Sequence, residues 1–249
     1  MEKIEELIVS KVSHSFAFND ILKDISFTLK KAQVLSIVGP SGGGKTTLLH
    51  LCAKLLELEQ GSIKNTFTSC ACAFQEARLL PWKNVIENIA LGLKAKGIKK
   101  EQRENEARKM ALRFGLEKKD FDKFPKDLSG GMAQRVSFAR AFIIKPSLLF
   151  LDEPFSALDI GLKKELQNLL LKEIKEKQLS VLFITHDLME AVKLSDEILL
   201  LDSKPVGHIV NNYKLLLEKE KRDNIYVYEK TAELLNDKHI IQAFDLENK

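Results

Sequence analysis

The pattern of apolar and polar positions divides the chain into a strand-rich start, a helical middle and an alternating strand–helix end. Residues 4–31 alternate apolar and polar side chains in two runs separated by the turn-forming pair Asn19 and Asp20. This pattern predicts an antiparallel hairpin. The apolar run VLSIVG then predicts a buried strand, KTTLLHLCAKLL has the spacing of a helix, and GSIKNTFTSCACAF predicts one or two more strands.

The pattern changes in the middle of the chain and changes again after it. Residues 84–145 are helical in pattern and rich in charge, which predicts an inserted helical subdomain. SLLFLD, SVLFIT and EILLLD are then apolar runs of strand length, and GLKKELQNLLLKEIKEK has helical spacing between the first two. Strands that alternate with helices are typical of a parallel sheet covered on both faces. We therefore predict an α/β domain over residues 1–212 and a charged tail over residues 213–249 whose pattern assigns it no role.

Composition narrows the classes of partner. The chain has 249 residues and a net charge of +4 from 39 basic and 35 acidic residues, and the basic residues are scattered. This balance gives no reason to expect a nucleic-acid partner. The first ten residues, MEKIEELIVS, are acidic without an apolar core, and no apolar run approaches the roughly 18 residues of a membrane span. We expect a cytosolic protein that reaches a membrane only through a partner.

Three cysteines are expected to stay reduced, because a low, odd number without a secretion signal does not suggest a disulfide framework. Cys70 and Cys72 form a C-x-C pair that would share one face of a strand. No other Cys or His pair has a spacing that would complete a metal site. We therefore interpret the pair as small, buried residues of a core strand.

The clearest chemical motif is GPSGGGKTT at residues 39–47, between a predicted strand and a predicted helix. It matches the phosphate-binding P-loop pattern G-x-x-x-x-G-K-[ST] in the setting that this motif requires. Backbone N–H groups of such a loop surround the phosphates of ATP, Lys45 would reach the β- and γ-phosphates, and the Thr46 hydroxyl would bind Mg²⁺. The nucleotide-binding candidates are Gly39, Pro40, Ser41, Gly42, Gly43, Gly44, Lys45, Thr46 and Thr47.

Polar residues at the ends of other predicted strands complete a catalytic set. Asp152 ends the strand SLLFLD and fits as a Mg²⁺ partner, and Glu153 beside it could orient or deprotonate the attacking water. His186 ends the next strand, where it could contact the γ-phosphate. Gln75 also follows a strand, and its amide could bind Mg²⁺ or the attacking water. Spacing alone leaves structural roles open for both His186 and Gln75.

Taken together, these motifs resemble the ATP-binding cassette (ABC) ATPases over about residues 4–210, in that family's order. In this resemblance, residues 39–46 form the Walker A loop, Gln75 the Q-loop, LSGGM at 128–132 the signature, LLFLDE the Walker B strand, SALD at 156–159 the D-loop and His186 the switch histidine. Phe16 corresponds to the aromatic residue that stacks on adenine, although Phe18 could serve instead. Met132 departs from the glutamine of many members.

The resemblance implies that the active site is shared between two chains. Cassette ATPases pair head to tail, and the signature of one subunit covers the nucleotide in the Walker A loop of the other. Ser129, Gly130 and Gly131 would then contact the γ-phosphate held by a partner subunit, and Asp159 of the D-loop would lie at the same shared site. ATP would hold the pair together and its hydrolysis would release it.

A second, narrower resemblance concerns the branch of the family. QEARLLPWKNVIENIALGL at residues 75–93 is similar to the ATPase subunits of nitrate, aliphatic-sulfonate and taurine importers. This implies separate membrane-spanning channel subunits, an external solute-binding protein and a position on the cytoplasmic face of the inner membrane. Leu79, Leu80, Pro81 and Trp82 would lie near the groove that receives a channel helix. The alternatives are an importer of another cargo such as a thiamine precursor, and a cassette ATPase that acts on DNA or ribosomes.

Overall fold

The computed structural model describes residues 5–156 and 158–246, and within them the chain forms two sheets. The smaller sheet is antiparallel and contains β1 (Glu6–Phe16), β2 (Asn19–Lys30) and β4 (Gln60–Asn65) in the order β2-β1-β4. The predicted hairpin is present, but its turn is at Ala17 and Phe18 rather than at Asn19 and Asp20, because Asn19 already pairs with Phe16. Ala17 adopts a positive φ of 54° there.

The larger sheet has six strands in the order β5-β6-β7-β3-β8-β9. All neighbours are parallel except the last pair, β8 and β9. Strands β3, β6 and β7 are buried along their whole length, which explains why their sequences are continuous apolar runs rather than alternating ones. The strands are β3 (Val34–Val38), β5 (Cys70–Ala73), β6 (Leu148–Asp152), β7 (Ser180–Thr185), β8 (Glu197–Asp202) and β9 (His208–Lys214).

Helices cover the sheet and form the predicted helical insertion. The insertion contains α2 (Val85–Ile89), α3 (Leu91–Ala95), α4 (Lys100–Arg113) and α5 (Gly130–Phe142). A cluster of buried phenylalanine rings, Phe114, Phe138, Phe142 and Phe155, joins α4 and α5 to the segment after β6. The remaining helices are α1 (Lys45–Cys52), α6 (Ile160–Lys177), α7 (Leu188–Leu194), α8 (Asn224–Leu235) and α9 (Lys238–Ala243). Among the described residues, no helix is both long and apolar enough to span a membrane.

The cysteine prediction needs a correction. Ala71 and Ala73 are the buried residues of β5, whereas Cys70 is exposed and Cys72 is half-buried. The alternation of a strand explains the difference, since the two cysteines share the face opposite to the two alanines. In the described part of the chain, His, Cys, Asp and Glu residues form no group of three that could hold a metal ion.

The C-terminal tail packs as part of the α/β domain. Strand β9 extends to Lys214, so the predicted boundary after residue 212 falls inside a strand. Apolar residues of α8 and α9, including Val227 and Ile240, join Val192 of α7 and Ile198 of β8 in one buried cluster. This packing leaves the tail no independent core within the residues described.

A buried arginine connects the tail to α7. The Arg222 guanidinium donates hydrogen bonds to the carbonyl oxygens of Val192 and Ser195, each at 2.6 Å, at the C-terminal end of α7. It also donates from Nη2 to the Leu217 carbonyl at 2.6 Å. Carbonyls at the end of a helix lack partners within the helix, and a cation there also opposes the negative end of the helix dipole. Arg222 therefore provides donors for carbonyl oxygens at the end of α7 and connects the tail to this helix.

We predict that Arg222→Ala lowers the free energy of unfolding by about 2–3 kcal/mol, because it leaves buried carbonyls without donors. Urea unfolding followed by circular dichroism measures the change. The matched control is Lys221→Ala, which removes a neighbouring, exposed cation and should change stability by less than about 0.5 kcal/mol. Equal effects of the two substitutions would show that the contacts of Arg222 with α7 are not important for stability.

Candidate active site

The P-loop connects β3 to α1 and its backbone is shaped by glycine. Gly44 precedes α1 with a φ of 87°, a conformation that residues with a side chain rarely adopt. At Gly39, an added Cβ would lie 2.2 Å from the Leu201 carbonyl oxygen of β8, which is too close for any other residue. The loop therefore needs glycine at both ends, for conformation at Gly44 and for packing at Gly39.

The Lys45 side chain binds to the backbone at the start of its own P-loop. Its ammonium group is buried and donates hydrogen bonds to the carbonyl oxygens of Gly39 at 2.9 Å and Pro40 at 2.7 Å. Burial lowers the pKa of Lys45, and the negative charges of Glu153 and Asp152 partly oppose this shift. An additional anion near the ammonium group, such as a phosphate, would favour its charged form.

Asp152 stands opposite the start of α1. It ends β6 in a buried position, and its Oδ1 accepts a hydrogen bond from the Thr46 hydroxyl at 3.2 Å. Burial raises the pKa of Asp152, against the effect of this hydrogen bond. A hydroxyl and a carboxylate oxygen are ligands that suit Mg²⁺, and a cation would stabilise the buried carboxylate. The residues present therefore fit the predicted metal.

Glu153 and His186 form the second pair of the site. Glu153 Oε2 lies 3.1 Å from His186 Nδ1, and the Glu153 N–H donates to the Ile184 carbonyl oxygen at 3.0 Å. Glu153 has a positive φ of 41°, which is uncommon for a residue with a side chain. Backbone strain of this kind often occurs at functional sites, where neighbouring structure maintains it. Glu153 follows the last residue of β6 and lines the same cleft as the P-loop residues.

An open cleft of about 420 Å³ brings these elements together. Residues of the P-loop and α1 line it together with Gln75, Glu153 and Ile21 of β2. Six of the nine predicted P-loop residues therefore line the cleft, namely Ser41, Gly42, Gly44, Lys45, Thr46 and Thr47. Phe16 and Phe18 lie at the β1–β2 turn, a few residues before Ile21, and neither lines the described cleft. Phe16 is half-exposed with its ring packed edge-on against His14, and Phe18 is fully exposed. Adenine stacking by either ring stays a prediction.

The structure also identifies residues that sequence analysis missed. Gln134 of α5 donates to the Phe74 carbonyl at 3.3 Å and to the Pro154 carbonyl at 3.2 Å. Arg140, two turns further along α5, donates to the Ala77 carbonyl at 2.7 Å. The two side chains tie the Q-loop to α5 and to the segment after Walker B. Gln134 and Arg140 match no sequence motif, so only the three-dimensional structure could show these contacts.

His50 is a further residue near the site, and its four-residue spacing from Thr46 in a predicted helix could have indicated it. It lies four residues after Thr46 on α1, so both side chains are on one face of the helix. His50 Nε2 lies 3.8 Å from Asp152 Oδ2, and its ring packs edge-on against Phe74. The carboxylate of Asp152 therefore has Thr46 on one oxygen and His50 near the other.

The described residues of the signature and of the D-loop do not line this cleft. Ser129, Gly130 and Gly131 are not among the described residues that line it. Ser129 caps α5 by accepting a hydrogen bond from the Met132 N–H at 3.3 Å, and Asp159 caps α6 by accepting one from the Leu162 N–H at 3.0 Å. Ala157 of the predicted D-loop lies outside the described residues.

The N-terminal ends of α5 and α6 are neighbours. A Cβ added to Gly131 would lie 2.5 Å from the Leu162 side chain of α6. Ser129, Gly130, Asp159 and Ile160 are all exposed around this point. Two helix N-termini therefore face solvent together. The α6 end already carries the Asp159 carboxylate, whereas α5 has no acidic residue in its first turn and is the end that favours an anion.

Comparisons with known proteins support the resemblance to ATP-binding cassette proteins. A family model described as ABC transporter matches residues 22–156. The chain is 41% identical over 194 residues to the aliphatic sulfonates import ATP-binding protein SsuB of Corynebacterium glutamicum, covering 78% of this chain and 79% of that protein. It is 42% identical over 215 residues to the taurine import ATP-binding protein TauB of Escherichia coli (strain K12), covering 82% of this chain and 84% of that protein.

The fold is similar to solved cassette structures. A dimeric ATP-binding cassette in a post-hydrolysis state, bound to ADP and Pi, superposes with a TM-score of 0.76 at 27% identity, covering 85% of this chain and 100% of that chain. The α/β architecture, with a mostly parallel sheet, an antiparallel β part and a helical insertion, is thus that of an ABC-type P-loop NTPase. The matching family model, the relatives and the fold together show that this chain belongs to the ABC transporter family.

Proposed function

We propose that this chain is the ATP-hydrolysing subunit of a bacterial importer, working as a pair on the cytoplasmic face of the inner membrane. The observation that carries the proposal is the meeting of Lys45, Thr46 and Glu153 at one cleft. Asp152 is hydrogen-bonded to Thr46, and His186 lies beside Glu153. A P-loop alone would support nucleotide binding. The added carboxylate and histidine are the groups that hydrolysis needs.

Glu153 is the proposed general base. Its carboxylate lines the cleft and would accept a proton from a water molecule aligned with the γ-phosphate. His186, at 3.1 Å from Glu153, would orient this carboxylate and hydrogen-bond a γ-phosphate oxygen. Gln75, on the exposed Q-loop, would contact the same water or the metal. These roles follow the reaction that cassette ATPases share, and the contacts above are compatible with them.

The charges of the cleft suit a magnesium–ATP complex. Burial disfavours the charged forms of both Lys45 and Asp152. A triphosphate beside Lys45 and a divalent cation beside Asp152 would stabilise both charges at once. When bound, Mg²⁺ would neutralise β- and γ-phosphate oxygens, held by Thr46, Asp152 and Gln75. The P-loop N–H groups and the N-terminal end of α1 would bind the remaining phosphate oxygens.

A second copy of the chain would complete the site. Ser129, Gly130 and Gly131 lie outside their own P-loop cleft, at an exposed surface with Asp159 and Ile160. Ile160 is 88% exposed, so a partner that covered this surface would bury apolar area there. In a head-to-tail pair, this surface would cover the nucleotide of the partner, and the related solved cassette is dimeric.

The segment after the Q-loop is the proposed contact with channel subunits. Trp82 is 70% exposed, and buried Asn88 holds the preceding backbone by accepting from the Leu80 N–H at 2.8 Å. A fixed backbone with an exposed indole is suited to receive a helix of a partner. Arg140 and Gln134 connect the Q-loop to α5, so movement at this contact would reach the signature.

The proposed cargo is a small solute, either one that carries a sulfonate group, such as taurine or an alkanesulfonate, or nitrate. The support is the similarity to import ATP-binding proteins of those names, together with the LLPW segment. An external solute-binding protein and the channel would select this cargo. Growth of a deletion strain on taurine, an alkanesulfonate or nitrate tests it, and loss of growth on one source only would identify the cargo.

We predict that Glu153→Gln lowers ATP hydrolysis at least about a hundredfold, because the amide cannot accept the proton. The same variant should form an ATP-dependent dimer in analytical ultracentrifugation, since bound ATP persists. Glu57→Gln, at an exposed position outside the motifs, is the control and should behave as wild type. Unchanged hydrolysis in Glu153→Gln would remove Glu153 from the role of base.

The shared site predicts a separation of binding from hydrolysis at the signature. Apart from its chain neighbours and the backbone of its own helix, an alanine Cβ at Gly130 meets no described atom within 4 Å, so Gly130→Ala should keep the stability of the wild type. Hydrolysis should nevertheless fall about tenfold or more, because the methyl group would meet the partner's nucleotide. Ser129→Arg should block hydrolysis.

Both signature variants should bind a fluorescent ATP analogue as the wild type does, since the P-loop of the same chain is intact. An equal loss of binding and hydrolysis in either variant would contradict the idea that the signature acts across a dimer. Gly131→Ala is less informative, because Leu162 of the same chain occupies the space that its methyl group would need.

A further inference from the structure

Lys163 connects the helix that follows the D-loop to the loop that carries His186. Its backbone N–H donates to the Asp159 carbonyl at 2.9 Å, so it lies in the first turn of α6. Its ammonium group donates to Asp187 Oδ2 at 2.7 Å and lies 2.6 Å from Glu190 Oε1 of α7. One cation thus joins two carboxylates that follow the switch histidine.

The carboxylate of Glu190 is the buried centre of this network. Glu190 is only 3% exposed, and its other oxygen accepts a hydrogen bond from the Thr185 hydroxyl at 2.6 Å. The Thr185 hydroxyl in turn accepts from the Asp187 N–H at 3.0 Å. The residues on both sides of His186 are therefore held by groups that depend on Glu190.

The network needs a cation to be stable in its ionised form. Burial raises the pKa of Glu190, and hydrogen bonds from Lys163 and Thr185 oppose this shift. Removing one partner of a buried ion pair leaves an uncompensated charge, and the remaining groups rearrange or take up a proton. The backbone around His186 would be the first to move, because Asp187 would lose the same cation.

We propose that Lys163 is a positioning residue that holds His186 in place against Glu153 and couples it to the D-loop segment at the start of α6. This inference rests on the proposed function, since His186 is taken to act on ATP. Asp159 begins the same turn as Lys163 and lies on the surface offered to a partner. A shift of that turn on dimer formation would therefore reach His186 through one ammonium group.

The position of His186 matters for turnover more than for ATP affinity. The P-loop and Thr46 would supply the main contacts to the nucleotide. Among the described residues, the side-chain ion pairs of Lys163 are with Asp187 and Glu190, neither of which lines the cleft. A displacement of about 1 Å in a catalytic group can cost up to about a hundredfold in rate. Loss of Lys163 should therefore lower kcat and leave KM nearly unchanged.

The test compares Lys163→Met, Lys163→Arg and Lys164→Met in the full chain by steady-state ATPase kinetics. Lys163→Met should lower kcat about ten- to hundredfold with KM within about threefold of wild type. Lys163→Arg keeps the cation and should recover at least half of wild-type kcat. Lys164→Met removes the adjacent, exposed cation of α6 and should leave both parameters unchanged.

Glu190→Gln provides a second variant of nearly the same shape, should Lys163→Met fail to fold. It removes the buried one of the two carboxylate charges that Lys163 faces, and its kcat should fall about tenfold at constant KM. Wild-type kcat in Glu190→Gln or Lys163→Met, or equal losses in Lys163→Met and Lys163→Arg, would overturn the inference. Wild-type protein that hydrolyses no ATP would instead overturn the proposed function.

Discussion

Parallel pairing of β6, β7 and β3 is the constraint on which the candidate site depends. The register places Asp152 beside Ile184 and Val38 beside Thr185, so all three strands end within about one residue of each other. Each strand is then followed by residues of the proposed site: Glu153 after β6, His186 after β7 and the P-loop after β3. Carboxyl ends of parallel strands form the usual ligand-binding edge of an open α/β sheet.

Burial of charge gives this edge its chemistry. Lys45 and Asp152 are both nearly inaccessible to solvent. Burial lowers the pKa of Lys45 and raises the pKa of Asp152, and both shifts favour the neutral form. Such a site favours ligands that carry the complementary charges. Glu190 of α7 is also a buried charged group, and here the chain itself supplies the compensating cation, Lys163. Buried charges that need compensation therefore occur both at the P-loop cleft and between the start of α6 and the segment that follows His186.

Local patterns were sufficient to predict the fold class and the individual motifs. The buried strands β3, β6 and β7, the helical insertion and the P-loop follow from apolar runs and glycine spacing. The β1–β2 turn was misplaced because Asn19 and Asp20 favour turns but pair as strand residues here. The contacts of Gln134, Arg222 and Lys163 could not be predicted, because each joins residues distant in sequence and no local pattern records such pairs.

The most direct test of the shared site is a disulfide between the P-loop of one subunit and the signature of another. Ser41→Cys and Ser129→Cys are introduced with Glu153→Gln, after serine replaces Cys70 and Cys72, which are not fully buried. We expect a covalent dimer that forms with ATP and Mg²⁺ and not with ADP, with mass spectrometry identifying a link between residues 41 and 129. A chain that stays monomeric with ATP, or a cross-link within one chain, would contradict the account.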